Sequence, residues 1–127
     1  MELKGIDVST WQGDIDWPKV AGQGIQFAIL RATFGVEGVD RKFEQNIRQA
    51  PAAGIGCGAY HYCYATSTEA ARQEAEHFLE VIKPYQFPYP VALDLEDAAI
   101  AALGKGTATD IAQTFLDTVR AAGYYVV

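Results

Sequence analysis

The run Tyr89-Pro90-Val91-Ala92-Leu93-Asp94-Leu95-Glu96-Asp97 begins apolar and ends in three carboxylates within four residues. Read as a strand, it sends successive side chains to opposite faces, so Asp94 and Glu96 share one face and Leu93 and Leu95 the other. Two acids held about 6–7 Å apart on one strand suit acid–base work on a glycosidic or ester bond. The same tripeptide also suits a strand end whose acids simply face water. Other groups capable of chemistry or of gripping a ligand stand at comparable places: Asp7, Arg31, Tyr60, Tyr62 and the nearby Trp11.

The elements that must position these groups alternate between strand-like and helix-like. Leu3 to Ser9 predicts a short strand and Trp11 to Asp14 a turn. Asp16 as N-cap with Pro18 in the first turn predicts a brief helix ending near Gly22 or Gly24. Gln26 to Thr33 is an apolar strand interrupted only by Arg31, and a loop follows through Val39. Asp40 predicts a cap for a helix from Arg41 to about Ala53, with Phe43, Ile47 and Ala50 at helical spacing. A Gly-rich strand runs from Ile55 to Tyr64. Ser67 or Thr68 caps a long amphipathic helix to about Lys83, its buried stripe Ala71, Ala75, Phe78, Leu79 and Ile82. An Ala-rich loop after Glu96 leads to a helix from about Thr109 to Ala122, with Ile111, Phe115, Leu116 and Val119 facing in. Tyr124 opens another strand.

Four β-α units and the start of a fifth strand predict an α/β chain with a parallel sheet, either doubly wound or a β/α barrel. No GxGxxG follows the first strand and no GxxxxGK[ST] occurs, which weighs against nucleotide binding; no cofactor is expected. In a barrel the active residues sit at the C-terminal ends of strands. Asp7, Arg31, the Tyr60–Tyr64 region and Asp94/Glu96 all fall there. A barrel with a carboxylate-lined pocket, in one domain spanning residues 1–127, is the leading architecture.

Composition narrows the partners. Half of the residues are hydrophobic and a fifth are charged, as in ordinary globular proteins. A formal net charge of −6, with no basic stripe, argues against nucleic acid. No apolar stretch reaches the roughly 18 residues of a membrane span, and the first residues carry no apolar leader, so an export signal is expected to be absent or already removed. Cys57 and Cys63, if on one strand, lie about 20 Å apart and are expected as free thiols. A metal site on Cys57, His61 and Cys63 is disfavoured, because a flat strand does not converge ligands on a tetrahedral ion.

Four motifs in order carry a resemblance: Gly5-Ile6-Asp7-Val8-Ser9-Thr10-Trp11-Gln12-Gly13, Phe27-Ala28-Ile29-Leu30-Arg31-Ala32-Thr33-Phe34-Gly35, Gly58-Ala59-Tyr60-His61-Tyr62 and Ala92-Leu93-Asp94-Leu95-Glu96. Each is weak alone. Together, from Gly5 to Val127, the chain resembles the family 25 glycoside hydrolases, the Chalaropsis-type lysozymes or N-acetylmuramidases of bacteria, phages and some fungi. The resemblance implies an irregular, TIM-like β/α barrel with a groove at the C-terminal rim. It implies cleavage of the β-1,4 bond between N-acetylmuramic acid and N-acetylglucosamine in peptidoglycan. The expected setting is secreted or directed to a cell wall, including as a phage endolysin.

By this resemblance Glu96 is the general acid, its proton affinity raised by burial beside a second carboxylate. Asp94 is then expected to stay ionised and to support the substrate's acetamido group in a retaining reaction, and Asp7 is a further acid of the site. Tyr60, Tyr62 and Trp11 are expected to meet sugar rings. Arg31 either balances the acids or forms a rim salt bridge. His61 is expected in the core, Cys63 likewise, and Asp97 at the rim or a helix start.

Family members run on by roughly sixty residues or more, since a barrel needs about eight strands. The chain is therefore expected to represent about the first five strands, as a fragment or half-barrel. An open edge near Val127 would then invite self-association. Three alternatives follow: a peptidoglycan-binding remnant without turnover, a chitinase-like glycosidase, or a metal site on Asp7, Asp94 and Glu96. The second is weakened because Tyr89-Pro90-Val91-Ala92 lacks aspartates upstream of Asp94, the third because no histidine is suitably placed.

Overall fold

A computed structural model describes residues 4–126. In chain order its elements are β1 (Gly5–Val8), a 3-10 turn (Thr10–Gln12), α1 (Trp17–Gly22), β2 (Phe27–Phe34), β3 (Gly38–Val39), α2 (Phe43–Ala52), β4 (Gly56–Tyr62), α3 (Thr68–Ile82), β5 (Val91–Asp94), α4 (Ala98–Ala101) and α5 (Lys105–Ala121). Leu3 and Val127, assigned above to the first and last strands, lie outside the described residues.

β1, β2, β4 and β5 pair in parallel and in chain order, with Asp7 opposite Ile29, Arg31 opposite Tyr60 and Tyr62 opposite Asp94. A doubly wound sheet reverses its strand order at a switch point; this one does not. The helices also pack on one face. Trp17 of α1, Phe43 and Ile47 of α2, Phe78 and Ile82 of α3 and Phe115 of α5 share one core with Val8, Leu30, Cys57 and Val91. Sequential parallel strands with helices on one side form a segment of a β/α barrel wall. Each large apolar side chain fully buried there stabilises the fold by roughly 1.5–3 kcal/mol.

The opposite face carries Asp7, Ile29, Tyr60, Ala92 and Asp94, as the alternation of side chains requires. Its lower end, at the strand starts, is filled by a stack of Phe27 and Tyr89, with ring centroids 4.9 Å apart. Glycine makes this possible. A Cβ on Gly5 would lie 2.1 Å from the Phe27 ring, and one on Gly56 would lie 2.4 Å from that of Tyr89.

Three local expectations change. The loop after β2 contains β3, which pairs antiparallel with β2 through Thr33–Val39 and Phe34–Gly38. Asp40 is not the N-cap of α2: Lys42 occupies that position without a side-chain bond, while buried Asp40 accepts from the Lys42 N–H just before the helix and also serves the long-range partners described below. The Ala-rich stretch after Glu96 includes the single turn α4, capped by Asp97 accepting from the Ala99 N–H. That cap explains Asp97, a helix start as expected.

A bulge at Ala32 shifts the β2–β4 register, so Arg31 pairs with Tyr60 but Thr33 with His61. The extra residue puts Thr33 on the helix side and keeps Phe34 on the face of Arg31, whose guanidinium stands 4.8 Å from the Phe34 ring centroid.

Candidate active site

A cavity of about 490 Å³ opens at the C-terminal end of the strands, lined by Asp7, Ile29, Tyr60, Ala92, Leu93, Asp94 and Glu96. Three acids from two strands and the loop after β5 therefore meet with one tyrosine from β4. β5 ends at Asp94, so Glu96 reaches the cavity from the following loop and not from the strand itself. The loop is held by Leu95, which packs with Leu93, Cys63, Ala71, Ile100 and Ile111 in a second apolar cluster beneath α4 and α5. With Leu95 anchored, the flanking acids are free to face the cavity.

Asp94, expected to stay ionised, is a carboxyl with raised proton affinity: its pKa is pushed up to about 6. Burial is the main cause, followed by the charge of Glu96, a hydrogen bond with Glu96 and the charge of Asp7; Arg31 opposes them weakly. Glu96 is exposed. Asp94 sits deeper on the strand, so desolvation acts on it first. Two carboxyls that share a hydrogen bond take up a proton as a pair.

Tyr60 lines the cavity, and burial followed by the surrounding charges of Asp94, Asp7 and Asp40 raises its hydroxyl pKa against the opposing effect of Arg31. Tyr62 stands just outside. Its hydroxyl pKa is also raised, by desolvation and then by the charges of Glu96, Tyr64, Asp97 and Asp94.

Arg31 is outside the cavity lining, although its charge acts on Asp94 and Tyr60. Its Nε donates to Asp40 Oδ2 at 2.8 Å, with the Asp40 side chain fully buried. The same Oδ2 accepts from the Thr10 N–H at 2.9 Å, and Oδ1 accepts from the Lys42 N–H at 2.8 Å. Asp40 thus ties the turn after β1 to β2 and to the start of α2. That turn is further closed by a reciprocal cap between Ser9 and Gln12. It carries Trp11, 82% exposed and outside the cavity lining.

His61 lies on the helix face of β4, fully buried as expected. Its ring hydrogen-bonds Thr33 Oγ1 and Glu74 Oε1, each at 2.6 Å, and stacks on Phe115. Burial lowers its pKa, against the pull of Glu74. Glu74 Oε1 also accepts from the Tyr64 N–H at 3.1 Å. Glu74 was missed in the sequence, although position 74 falls inside the stripe formed by residues 71, 75, 78 and 82. Asp40 was misread because its partners Thr10 and Arg31 are remote in the chain. Both cysteines are buried and unpaired, and burial raises their thiol pKa to about 11 for Cys57 and about 12 for Cys63. Among the described residues no helix is long and apolar enough to cross a membrane.

Comparison with known proteins agrees with the motifs. The model for glycosyl hydrolases family 25 matches residues 6–127. The Escherichia coli protein YegX is 40% identical over 100 residues, which are 75% of this chain and 36% of that protein. Lysozyme M1 of Streptomyces globisporus is 33% identical over 122 residues, 94% of this chain and 41% of its own length. The modular autolysin LytC of Streptococcus pneumoniae, solved also with a synthetic peptidoglycan ligand, superposes with a TM-score of 0.83 at 31% identity. The overlap covers 98% of this chain and 32% of LytC. The chain spans 36% and 41% of the two curated relatives. With parallel β-α units in sequential order and acids gathered at their C-terminal rim, this chain belongs to family 25 of the glycosyl hydrolases.

Proposed function

We propose that the cavity is part of a peptidoglycan cleft, and that the chain carries the acid pair of a muramidase that cleaves the β-1,4 bond between N-acetylmuramic acid and N-acetylglucosamine. The observation that carries this reading is the convergence of Asp7, Asp94, Glu96 and Tyr60 on one cavity at the strand ends. The names of the relatives support the substrate: two are lysozyme and autolysin, and one of these was solved with a peptidoglycan ligand.

In this mechanism Glu96 is the proton donor to the leaving oxygen. Its exposed position lets a bound glycan reach it. A sugar laid over Glu96 removes its water and adds to the cost of its charge, so the proton shared with Asp94 moves outward across their hydrogen bond. Asp94 is then left ionised beneath the sugar. There it can orient the acetamido group, whose carbonyl oxygen attacks the anomeric carbon in a retaining reaction. Asp7 adds negative charge that favours the oxocarbenium-like transition state. Tyr60, Tyr62 and Trp11 supply aromatic surface to sugar rings, and Arg31 acts at a distance by fixing the turn that carries Trp11.

The test is clearing of a peptidoglycan suspension. Glu96→Gln is expected to remove clearing while leaving the far-UV circular dichroism and cooperative thermal unfolding intact. Clearing by the Gln variant at the wild-type rate would refute the assignment.

A further inference from the structure

Tyr64 lies just past β4, outside the cavity lining. Tyr60, Tyr62 and Tyr64 fall on alternate positions, while His61 and Cys63 between them are buried on the helix side. Tyr62 and Tyr64 form a tilted ring pair with centroids 5.1 Å apart, and Tyr62 stands opposite Asp94 in the β4–β5 register. A line of aromatic rings thus leads from the acid pair out of the cavity.

A single exposed tyrosine is ordinary. Two features set this one apart. Its main chain is fixed, because the Tyr64 N–H donates to the carboxylate of Glu74, itself buried and bound to His61. Its ring also has a floor: Gly35, held by its N–H to the Tyr62 carbonyl, has no side chain, and a Cβ there would lie 3.5 Å from the Tyr64 ring. Tyr64 is nonetheless 50% exposed. An aromatic ring held on a rigid backbone with one side open loses little entropy on stacking with a flat apolar partner. A pyranose in a β-1,4-linked chain presents such a face at each ring.

We propose that Tyr64 forms an outer sugar position of the cleft, stacking on one pyranose of a β-1,4-linked N-acetylhexosamine chain whose next rings cross Tyr62 and the acid pair. This rests on the glycan-cleft reading above and adds to it a residue that contributes affinity without touching the scissile bond.

Chitotetraose, titrated into the 127-residue chain and followed by NMR, tests it. Tyr64→Ala is expected to weaken binding roughly tenfold and Tyr64→Phe less than about twofold, since the ring and not the hydroxyl makes the contact. Tyr125→Ala, which removes another exposed tyrosine at the far end of β5, is expected to leave affinity unchanged. In the wild-type chain the Tyr64 ring protons should show contacts to sugar-ring protons at saturation, a readout independent of any variant's folding. Binding by wild type with an equally tight Ala variant, equal losses at Tyr64 and Tyr125, or absent ring contacts would overturn the proposal and leave the cleft standing. No binding by the wild-type chain would overturn both.

Discussion

Replacing Asp94 with Asn should make the protein more stable at neutral pH, although it removes a group at the centre of the cleft. The fold pushes the Asp94 pKa from 3.8 to about 6, so it disfavours the ionised form. The sign follows: the neutral acid costs nothing extra, so no penalty exists below pH 4, and the full penalty is present above pH 6. About two pKa units correspond to a ceiling of about 3 kcal/mol at 1.36 kcal/mol per unit. The cavity is open and its other acids are wet, so solvent screening reduces this to about 1 kcal/mol. Asn keeps an amide N–H that can donate to Glu96 but never ionises. Urea unfolding of both proteins should therefore give equal midpoints near pH 4. By pH 7.5 the Asn variant should gain about 1 kcal/mol, or about 3–5 °C in thermal midpoint for a chain of this size. An equal gain at both pH values, or a loss at pH 7.5, would show that the raised proton affinity of Asp94 does not come from its place in the fold.

Removing the buried carboxylate in Glu74→Ala leaves His61 and the Tyr64 N–H without their partner, and chemical denaturation should show a loss of about 3–5 kcal/mol. Glu74→Gln, which preserves an acceptor, should lose clearly less. Gly58→Ala places a Cβ 2.1 Å from the Pro90 carbonyl oxygen, a backbone atom that cannot swing aside. It should part β5 from β4, lowering the thermal midpoint and exposing the amides of both strands to hydrogen exchange.

Much of this molecule could be read locally. The N-caps Asp16 and Ser67, the apolar stripe of α3 and the alternation that puts Tyr60 and Tyr62 opposite His61 all follow from near neighbours in the chain. The parallel alternation was legible too, because a strand followed by a helix has few ways to return to the same sheet. β3 was not legible, since two residues carry no periodicity and form a strand only by pairing with Phe34 and Thr33. Pairing across distance also decided the role of Asp40. Beside Arg41 and Lys42 it reads as a helix cap, and its Oδ1 does take the Lys42 N–H, but Arg31 and the Thr10 N–H claim its Oδ2.

At the site the division is the same. Residue types and strand ends determined that Asp7, Tyr60, Asp94 and Glu96 could meet at one rim, because the C-terminal end of each parallel strand points the same way. How deeply each of two neighbouring acids is desolvated was decided only by the tertiary structure. β5 stops at Asp94, Leu95 is drawn into the cluster beneath α4, and Glu96 is left in water. Desolvation depends on how deep a carboxyl lies among atoms brought from β1, β4 and β5, and no spacing within a tripeptide contains that depth.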